Sequence, residues 1–327
     1  LFGSVPGQLD RVTRIYPMRI NPYYLGLIKK PGDGLWRQAV PDERELQDTV
    51  CPEDPLNEEN LSPVPNLIHK YPDRALFLIH NQCAVYCRFC TRKRKVGQER
   101  MHVSRETIEA GLSYLEQTPA IKDVLISGGD PLLLEDSCLD AILARVRAIK
   151  HVVIIRIGTR VPCTLPMRVT RKLAAMLKRY HPLYINTHFN HPAEVTPEAA
   201  AACSRLADAG IPLGSQTVLL RGVNDDAETI RKLLYRLLAI RVRPYYLFQA
   251  DMTRGTDHFR TPVESGLAIM RSLIGHVSGM AVPTFAVDAP GGGGKIPLTP
   301  DYVRETGRKL VFENYCGITC SYDNPLY

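Results

Sequence analysis

Cys83-Ala-Val-Tyr-Cys87-Arg-Phe-Cys90 directly follows an apolar run at Ala75 to His80. A C-x3-C-x2-C triad on one tight loop can hold three irons of a [4Fe–4S] cluster and leave the fourth iron without a protein ligand, open for chemistry. The plainer readings are three core cysteines or a zinc loop. Zinc usually takes four ligands, and no fourth Cys or His lies close by in sequence.

Outward from the triad, short apolar runs alternate with amphipathic stretches. Strands are expected at Ala75 to His80, Val124 to Ser127, Val152 to Gly158, Leu183 to His188, Leu213 to Leu220 and Tyr245 to Gln249. Ser104 can cap a helix with Ile108, Leu112 and Leu115 on one face, stopped before Pro119. Thr196-Pro197 opens another that ends at Gly210. Six strand-then-helix units imply an α/β fold with a parallel sheet and right-handed crossovers, whose chemistry sits at the carboxyl ends of the strands. Ten of the 25 prolines fall in residues 1–72. That stretch is therefore expected to be neither regular sheet nor one long helix, but a wrapping extension with short helices. The expected division is a helical extension over 1–72, a partial barrel over 73–262 and a carboxyl-terminal segment over 263–327.

The 327 residues are 45% hydrophobic and 23% charged, which excludes disorder and collagen. Nine cysteines, an odd number in a chain of this length, fit a reduced compartment better than a disulfide framework. No apolar run approaches the ~18 residues of a membrane span, and the opening LFGSVPGQLD lacks the pattern of a secretory signal. A cytoplasmic location without membrane contact is expected. The chain starts at Leu1, which leaves room for residues upstream. The net charge of +7 suits nucleic acid, membrane phosphate or small anions alike.

A second motif lies at Asp288-Ala-Pro290-Gly291-Gly292-Gly293-Gly294-Lys295. It is not a Walker A loop, because Ile296 stands where Ser or Thr would hold magnesium. Four glycines read either as a flexible linker or as a mobile approach delivering one amine to a carbonyl cofactor.

The triad at the end of the first strand resembles the radical S-adenosylmethionine (SAM) superfamily, in which SAM chelates the open iron and is cleaved to a 5′-deoxyadenosyl radical. Ser127-Gly128-Gly129-Asp130 matches the superfamily's glycine motif, with Asp130 able to accept from an ammonium. Triad and PGGGGK together resemble the lysine 2,3-aminomutase family. The likeness continues through Ser62-Pro-Val-Pro, Lys70-Tyr-Pro-Asp-Arg74, Cys90-Thr-Arg92, Asn186-Thr-His-Phe-Asn-His191, Ser215-Gln216-Thr and His258-Phe-Arg-Thr-Pro262.

This resemblance implies a TIM-like radical SAM barrel, (β/α)6 in form. Cys83, Cys87 and Cys90 would be cluster ligands, with Ser127, Gly128, Gly129, Asp130 and His188 near SAM. Lys295 would be the lysine bound to pyridoxal 5′-phosphate (PLP), with Lys70, Tyr71, Arg74 and Gln216 around the cofactor. Arg92 would take the substrate carboxylate, and Asp251 with Asp288 its distal ammonium. Lys70 stands where the family has arginine.

The implied reaction is migration of the α-amino group of L-lysine to the β-carbon, with an electron donor such as flavodoxin or ferredoxin and a homo-oligomeric assembly. Arginine and glutamate are the alternative substrates, and supply of β-lysine for translation-factor modification an alternative use. Two carboxylates facing one cation argue against glutamate. Zinc is not expected: Asp226 stands near the place of one family zinc ligand, and Cys316 and Cys320 read as ordinary thiols. A rival of another class is a non-catalytic iron–sulfur protein that binds RNA through Arg92-Lys93-Arg94-Lys95. That run lacks the interleaved aromatics that stack bases, so no nucleic-acid partner is expected.

Overall fold

A computed structural model describes residues 6–325. Three short helices, α1 (Pro6–Ile15), α2 (Pro22–Leu27) and α3 (Gly34–Ala39), open the chain. Asn21 and Asp33 cap α2 and α3 by accepting from backbone N–H groups of the first turn.

The sheet begins at β1 (Leu67–Tyr71), inside the stretch expected to contain none. The sequence order then runs β2 (Arg74–Leu78), α4 (Arg105–Gln117), β3 (Asp123–Ser127), α5 (Asp136–Ala148), β4 (Ile154–Gly158), α6 (Val161–Thr164), α7 (Arg171–Lys178), β5 (Leu183–Thr187), α8 (Pro197–Asp208), β6 (Leu213–Leu219), α9 (Ala227–Ala239), β7 (Arg243–Gln249), α10 (Val263–Leu273), β8 (Thr284–Ala289) and β9 (Gly294–Pro297). The six expected strands and both expected helices form within a few residues of their expected limits.

The nine strands are ordered β1 to β9 in one sheet. Strands β2 to β8 are parallel, so the barrel has a seventh parallel strand, β8, beyond the six expected. β1 and β9 are antiparallel to their neighbours and form the two edges. A separate antiparallel sheet of β10 (Val303–Glu305), β11 (Lys309–Glu313) and β12 (Thr319–Asp323) follows.

Alternation within the strands sorts the two faces. Val124 and Ile126 on β3, and Ile155 and Ile157 on β4, are buried in the main core with Leu112, Leu115, Leu139, Leu143, Leu173 and Leu177 from the surrounding helices. The opposite face is less covered and carries polar groups: Asp123 and Arg156 pair there at 2.8 Å, and Gln216 lies on the half-buried face of β6. A second core of Leu219, Ile230, Leu234, Leu247, Ile269, Met270, Leu273 and Phe285 packs the last crossovers. Among the described residues no helix is long and apolar enough to cross a membrane.

Helix α10 lies so close to β8 that a Cβ on Gly266 would come within 2.1 Å of the Phe285 ring. Gly266→Ala gains about 1 kcal/mol of helix propensity but overpacks this buried ring. A net loss of about 1–2 kcal/mol is expected, read as a lower denaturation midpoint; an unchanged or higher midpoint contradicts the packing described.

Candidate active site

The cysteine loop leaves β2 and is fastened to the loop after β3. Gly129 N–H donates to the His80 carbonyl at 2.5 Å and Asp130 N–H to the Gln82 carbonyl at 2.8 Å. Only glycine permits this closeness: at Gly128, with φ of 143°, a Cβ would lie 2.1 Å from the His80 oxygen, and at Gly129 it would lie 2.5 Å from that of Gln82. The SGGD stretch thus sets the path by which the chain enters the triad.

Cys83, Cys87 and Cys90 are free thiols. Burial pushes the Cys83 thiol well up and Cys90 to about 11, so without a metal these two stay protonated near neutral pH. Arg160 Nη1 donates to Cys87 Sγ at 2.8 Å. The Asp130 carboxylate is engaged by four donors: Thr159 Oγ1 at 2.6 Å and Leu132 N at 3.1 Å on one oxygen, Arg160 N at 2.7 Å and Val161 N at 3.1 Å on the other. Its side chain therefore organises the loop after β4, where the sequence reading had it accept from a ligand ammonium. His188, at the end of β5, hydrogen-bonds Asn190 Oδ1 at 2.9 Å and lies 5.5 Å from Phe89 of the cysteine loop. Burial, aided by Arg160, pushes its pKa down to about 3 and keeps the ring neutral. Asn186 Nδ2 and Thr187 Oγ1, on the two residues before it, are buried and have no hydrogen-bond partner among the described residues.

The glycine-lysine stretch is a defined turn. Gly291, Gly292 and Gly294 have φ of 71°, 90° and 92°, a region other residues enter at a cost. Gly291 N–H donates to the Pro55 carbonyl at 2.8 Å, docking the turn on the amino-terminal extension. The turn folds β9 back on β8, so that Lys295 lies opposite Asp288 in register. Lys295 Nζ is 2.7 Å from Asp288 Oδ2, and its ammonium sits 5.2 Å from the Phe248 ring centroid.

Lys70, on β1, reaches the same carboxylate, with Nζ 3.2 Å from Asp288 Oδ1. Tyr71 OH accepts from Lys295 N at 2.9 Å, and the Arg74 guanidinium lies 4.2 Å over the Tyr71 ring. The first and last strands of the sheet thus meet through side chains. Lys70 contacts a carboxylate in this structure, where the sequence reading placed it at the cofactor and its phosphate. Gln216 on β6 pairs in register with Tyr246, which stacks on Phe248 at 4.7 Å.

Asp251 follows β7 and accepts from Thr91 Oγ1 at 3.0 Å. Burial first, and the negative Asp288 second, push its pKa to about 6. Arg92, next to Thr91, is gripped by Glu58, with Nε at 3.0 Å and Nη2 at 2.6 Å from the two carboxylate oxygens. The Arg92 Nη1 group has no hydrogen bond among the described residues. Cluster loop, glycine-lysine turn and paired aspartates therefore surround one region at the carboxyl end of the barrel.

Residues 77–234 match the Radical SAM superfamily model, and residues 270–326 match the model described as Lysine-2,3-aminomutase. An L-lysine 2,3-aminomutase of Methanococcus maripaludis is 51% identical over 97% of this chain and 75% of its own length. The chain belongs to the lysine 2,3-aminomutase family. Within this family the chain is also similar to the L-lysine 2,3-aminomutase of Clostridium subterminale, 50% identical over 94% of this chain and 75% of that one. A Glutamate 2,3-aminomutase of Clostridioides difficile is 47% identical over 89% and 70%.

The cofactors of aminomutases of this family are a [4Fe–4S] cluster, SAM and PLP. The triad fits a cluster. In a [4Fe–4S] cluster each thiolate would bind its own iron and the ligand sulfurs would stand apart by the width of the cluster, whereas one zinc ion draws four ligands to about 2.3 Å. Among the described residues no three His, Cys, Asp or Glu side chains are gathered around a single-ion position. A PLP phosphate fits the exposed Arg74 guanidinium and the Gln216 amide, which makes no hydrogen bond among the described residues. Asp226 caps α9, accepting from Thr229 N at 2.8 Å, and Cys316 and Cys320 lie on the separate carboxyl-terminal sheet region.

Glu58 and Arg160 carry no expected role in the sequence, and Thr91 in the Cys90-Thr-Arg92 stretch and Tyr246 and Phe248 in an expected strand carry no expected site role. The pairing of Glu58 with Arg92 spans 34 residues and has no local signature, although aromatic alternation in Tyr245-Tyr246-Leu247-Phe248 was visible. Glu58→Gln removes the charge that aligns the Arg92 fork. KM for the amino acid substrate is expected to rise about tenfold, the size of one charge-assisted hydrogen bond, with kcat within a few-fold. An unchanged KM contradicts the alignment.

Proposed function

We propose that this aminomutase moves the α-amino group of L-lysine to the β-carbon, giving L-β-lysine. The observation that carries the choice of substrate is the convergence of Asp251 and Asp288 on the region of Lys295. Two carboxylates attract a distal ammonium and repel a glutamate side chain. When bound, the cluster and SAM supply the radical, and PLP supplies the conjugated ring that delocalises an unpaired electron.

The chain's own residues do the rest. Cys83, Cys87 and Cys90 hold the cluster, and the loops carrying Ser127 to Asp130 and His188 wall the SAM position. Lys295 is the PLP lysine, and Tyr71, Arg74 and Gln216 surround the cofactor, with Lys70 at its edge. Arg92, aligned by Glu58, binds the substrate carboxylate through its remaining N–H groups. The distal ammonium of the substrate takes the place of a lysine ammonium on Asp288 and completes its neutralisation at Asp251. Buried surroundings keep solvent from the radical and fix which hydrogen lies within reach. Reduction of the cluster calls for an external one-electron donor of the flavodoxin or ferredoxin type.

The test is anaerobic. The protein is reconstituted with iron, sulfide and PLP, given SAM and reductant, and offered lysine, arginine or glutamate separately, with β-amino acids read by mass spectrometry. β-Lysine is expected. β-Glutamate or β-arginine alone would overturn the choice of substrate, and no product with an intact cluster and bound PLP would overturn the reading as a whole.

The raised pKa of Asp251 adds a pH dependence. Above about 6 the carboxylate is charged and holds the ammonium; below it the proton removes the attraction. KM for lysine is expected to climb as pH falls through 6, approaching roughly tenfold per unit. Asp251→Asn should show a high KM that is flat across this range. A wild-type KM that does not change between pH 7 and 5 contradicts the assignment.

A further inference from the structure

Arg160 stands two residues past β4 and is buried, yet no step of the proposed reaction uses it. Its guanidinium is fixed from several sides. Nη2 donates to Glu194 Oε1 at 2.7 Å, on the segment after β5, and to Gln38 Oε1 at 2.7 Å, on α3. The cation lies 5.3 Å from the Phe89 ring centroid and 5.6 Å from that of Tyr24 on α2. Its backbone N–H is held by Asp130, and Glu194 is held in turn by Tyr24 OH at 2.7 Å and by the backbone N–H groups of Asn190 and His191. This framework leaves Nη1 aimed at one atom, Cys87 Sγ, at 2.8 Å.

Among the described residues no side chain donates to the sulfur of Cys83 or Cys90. The three sulfurs of the triad are therefore not equivalent, and one receives a charge-assisted hydrogen bond from a cation that cannot turn away.

We propose that Arg160 is a positioning residue for the iron–sulfur centre: its hydrogen bond to the Cys87 ligand sulfur raises the reduction potential of the cluster and orients that ligand. This rests on the reading of Cys83, Cys87 and Cys90 as cluster ligands. The physical reason is that reduction adds negative charge to the cluster and its sulfurs, and a donor with full positive charge stabilises the reduced state more than the oxidised one. The amino-terminal helices, which supply Gln38 and Tyr24, thereby act on the redox centre without touching it.

The test uses the full chain with its reconstituted cluster and no SAM, so that any role of Arg160 in binding SAM stays outside the readout. Arg160→Lys keeps the positive charge that Glu194 requires but loses the fork that reaches both partners. In a redox titration followed by electron paramagnetic resonance, the ratio of reduced to oxidised cluster at a fixed potential is expected to fall about tenfold. For a one-electron couple this is about 59 mV toward more negative potential. Iron content and circular dichroism establish that the variant carries an intact cluster in a folded chain.

A second measurement needs no substitution. Protein grown with arginine labelled with 15N in the guanidino group should show a weak 15N coupling to the reduced cluster in pulsed electron paramagnetic resonance. An unchanged potential in a fully loaded variant, or no 15N coupling in the unaltered protein, overturns the proposal. A potential unchanged without SAM together with weaker SAM binding would likewise overturn it and make Arg160 a SAM contact. Failure of the unaltered protein to form any [4Fe–4S] signal overturns the ligand reading, and the proposal with it.

Discussion

The carboxylate of Asp288 joins the two ends of the sheet. It lies on β8, accepts from Lys295 on β9 and from Lys70 on β1, and so draws the last and first strands together through side chains. A buried carboxylate between two ammonium groups is tolerable only when both partners hold it, since removing either leaves charge poorly compensated. The same geometry places the amine of Lys295 beside the barrel region that the cysteine loop approaches from β2. Closure of the fold and placement of Lys295 are therefore one constraint.

The amino-terminal extension is a working part of this arrangement. Pro55 receives the glycine turn, Glu58 aligns Arg92, and Gln38 and Tyr24 help hold Arg160. Glu45 performs a similar task deeper in the structure, accepting from Arg88 at 2.9 Å and from Lys93 at 2.6 Å, both on the cysteine loop or just beyond it. Lys93, read in sequence as part of a basic run, is buried in this network, and Arg92 and Arg94 are paired with Glu58 and Asp54. The run is largely spent on internal ion pairs.

Much of the barrel was legible because its strands are apolar runs and its helices carry explicit ends, such as Ser104 and Thr196 as caps and Gly210 as a stop. The edges were not. Leu67–Tyr71 lies behind a proline-rich stretch and turns charged after two apolar residues, and Thr284–Ala289 runs straight into the glycine turn with no loop to mark its end. The motif residues came out of the sequence because tight loops need their residue types at fixed spacing. Their partners did not, because Glu58, Glu194 and Gln38 reach their cations across 34, 34 and 122 positions, and only the fold brings them together. The side chain of Asp130 shows the converse, a motif residue whose carboxylate serves the neighbouring loop.

The proposed reaction requires that the cysteine loop and Lys295 serve one region at the carboxyl end of the barrel, so that a radical made at the first acts on a substrate held at the second. The most direct measurement follows deuterium from L-lysine labelled at carbon 3, under anaerobic turnover with SAM, PLP and reductant. Deuterium is expected in recovered 5′-deoxyadenosine and at carbon 2 of β-lysine. Deuterium retained wholly at carbon 3, or lost to solvent with none in the nucleoside, would contradict the proposed reaction.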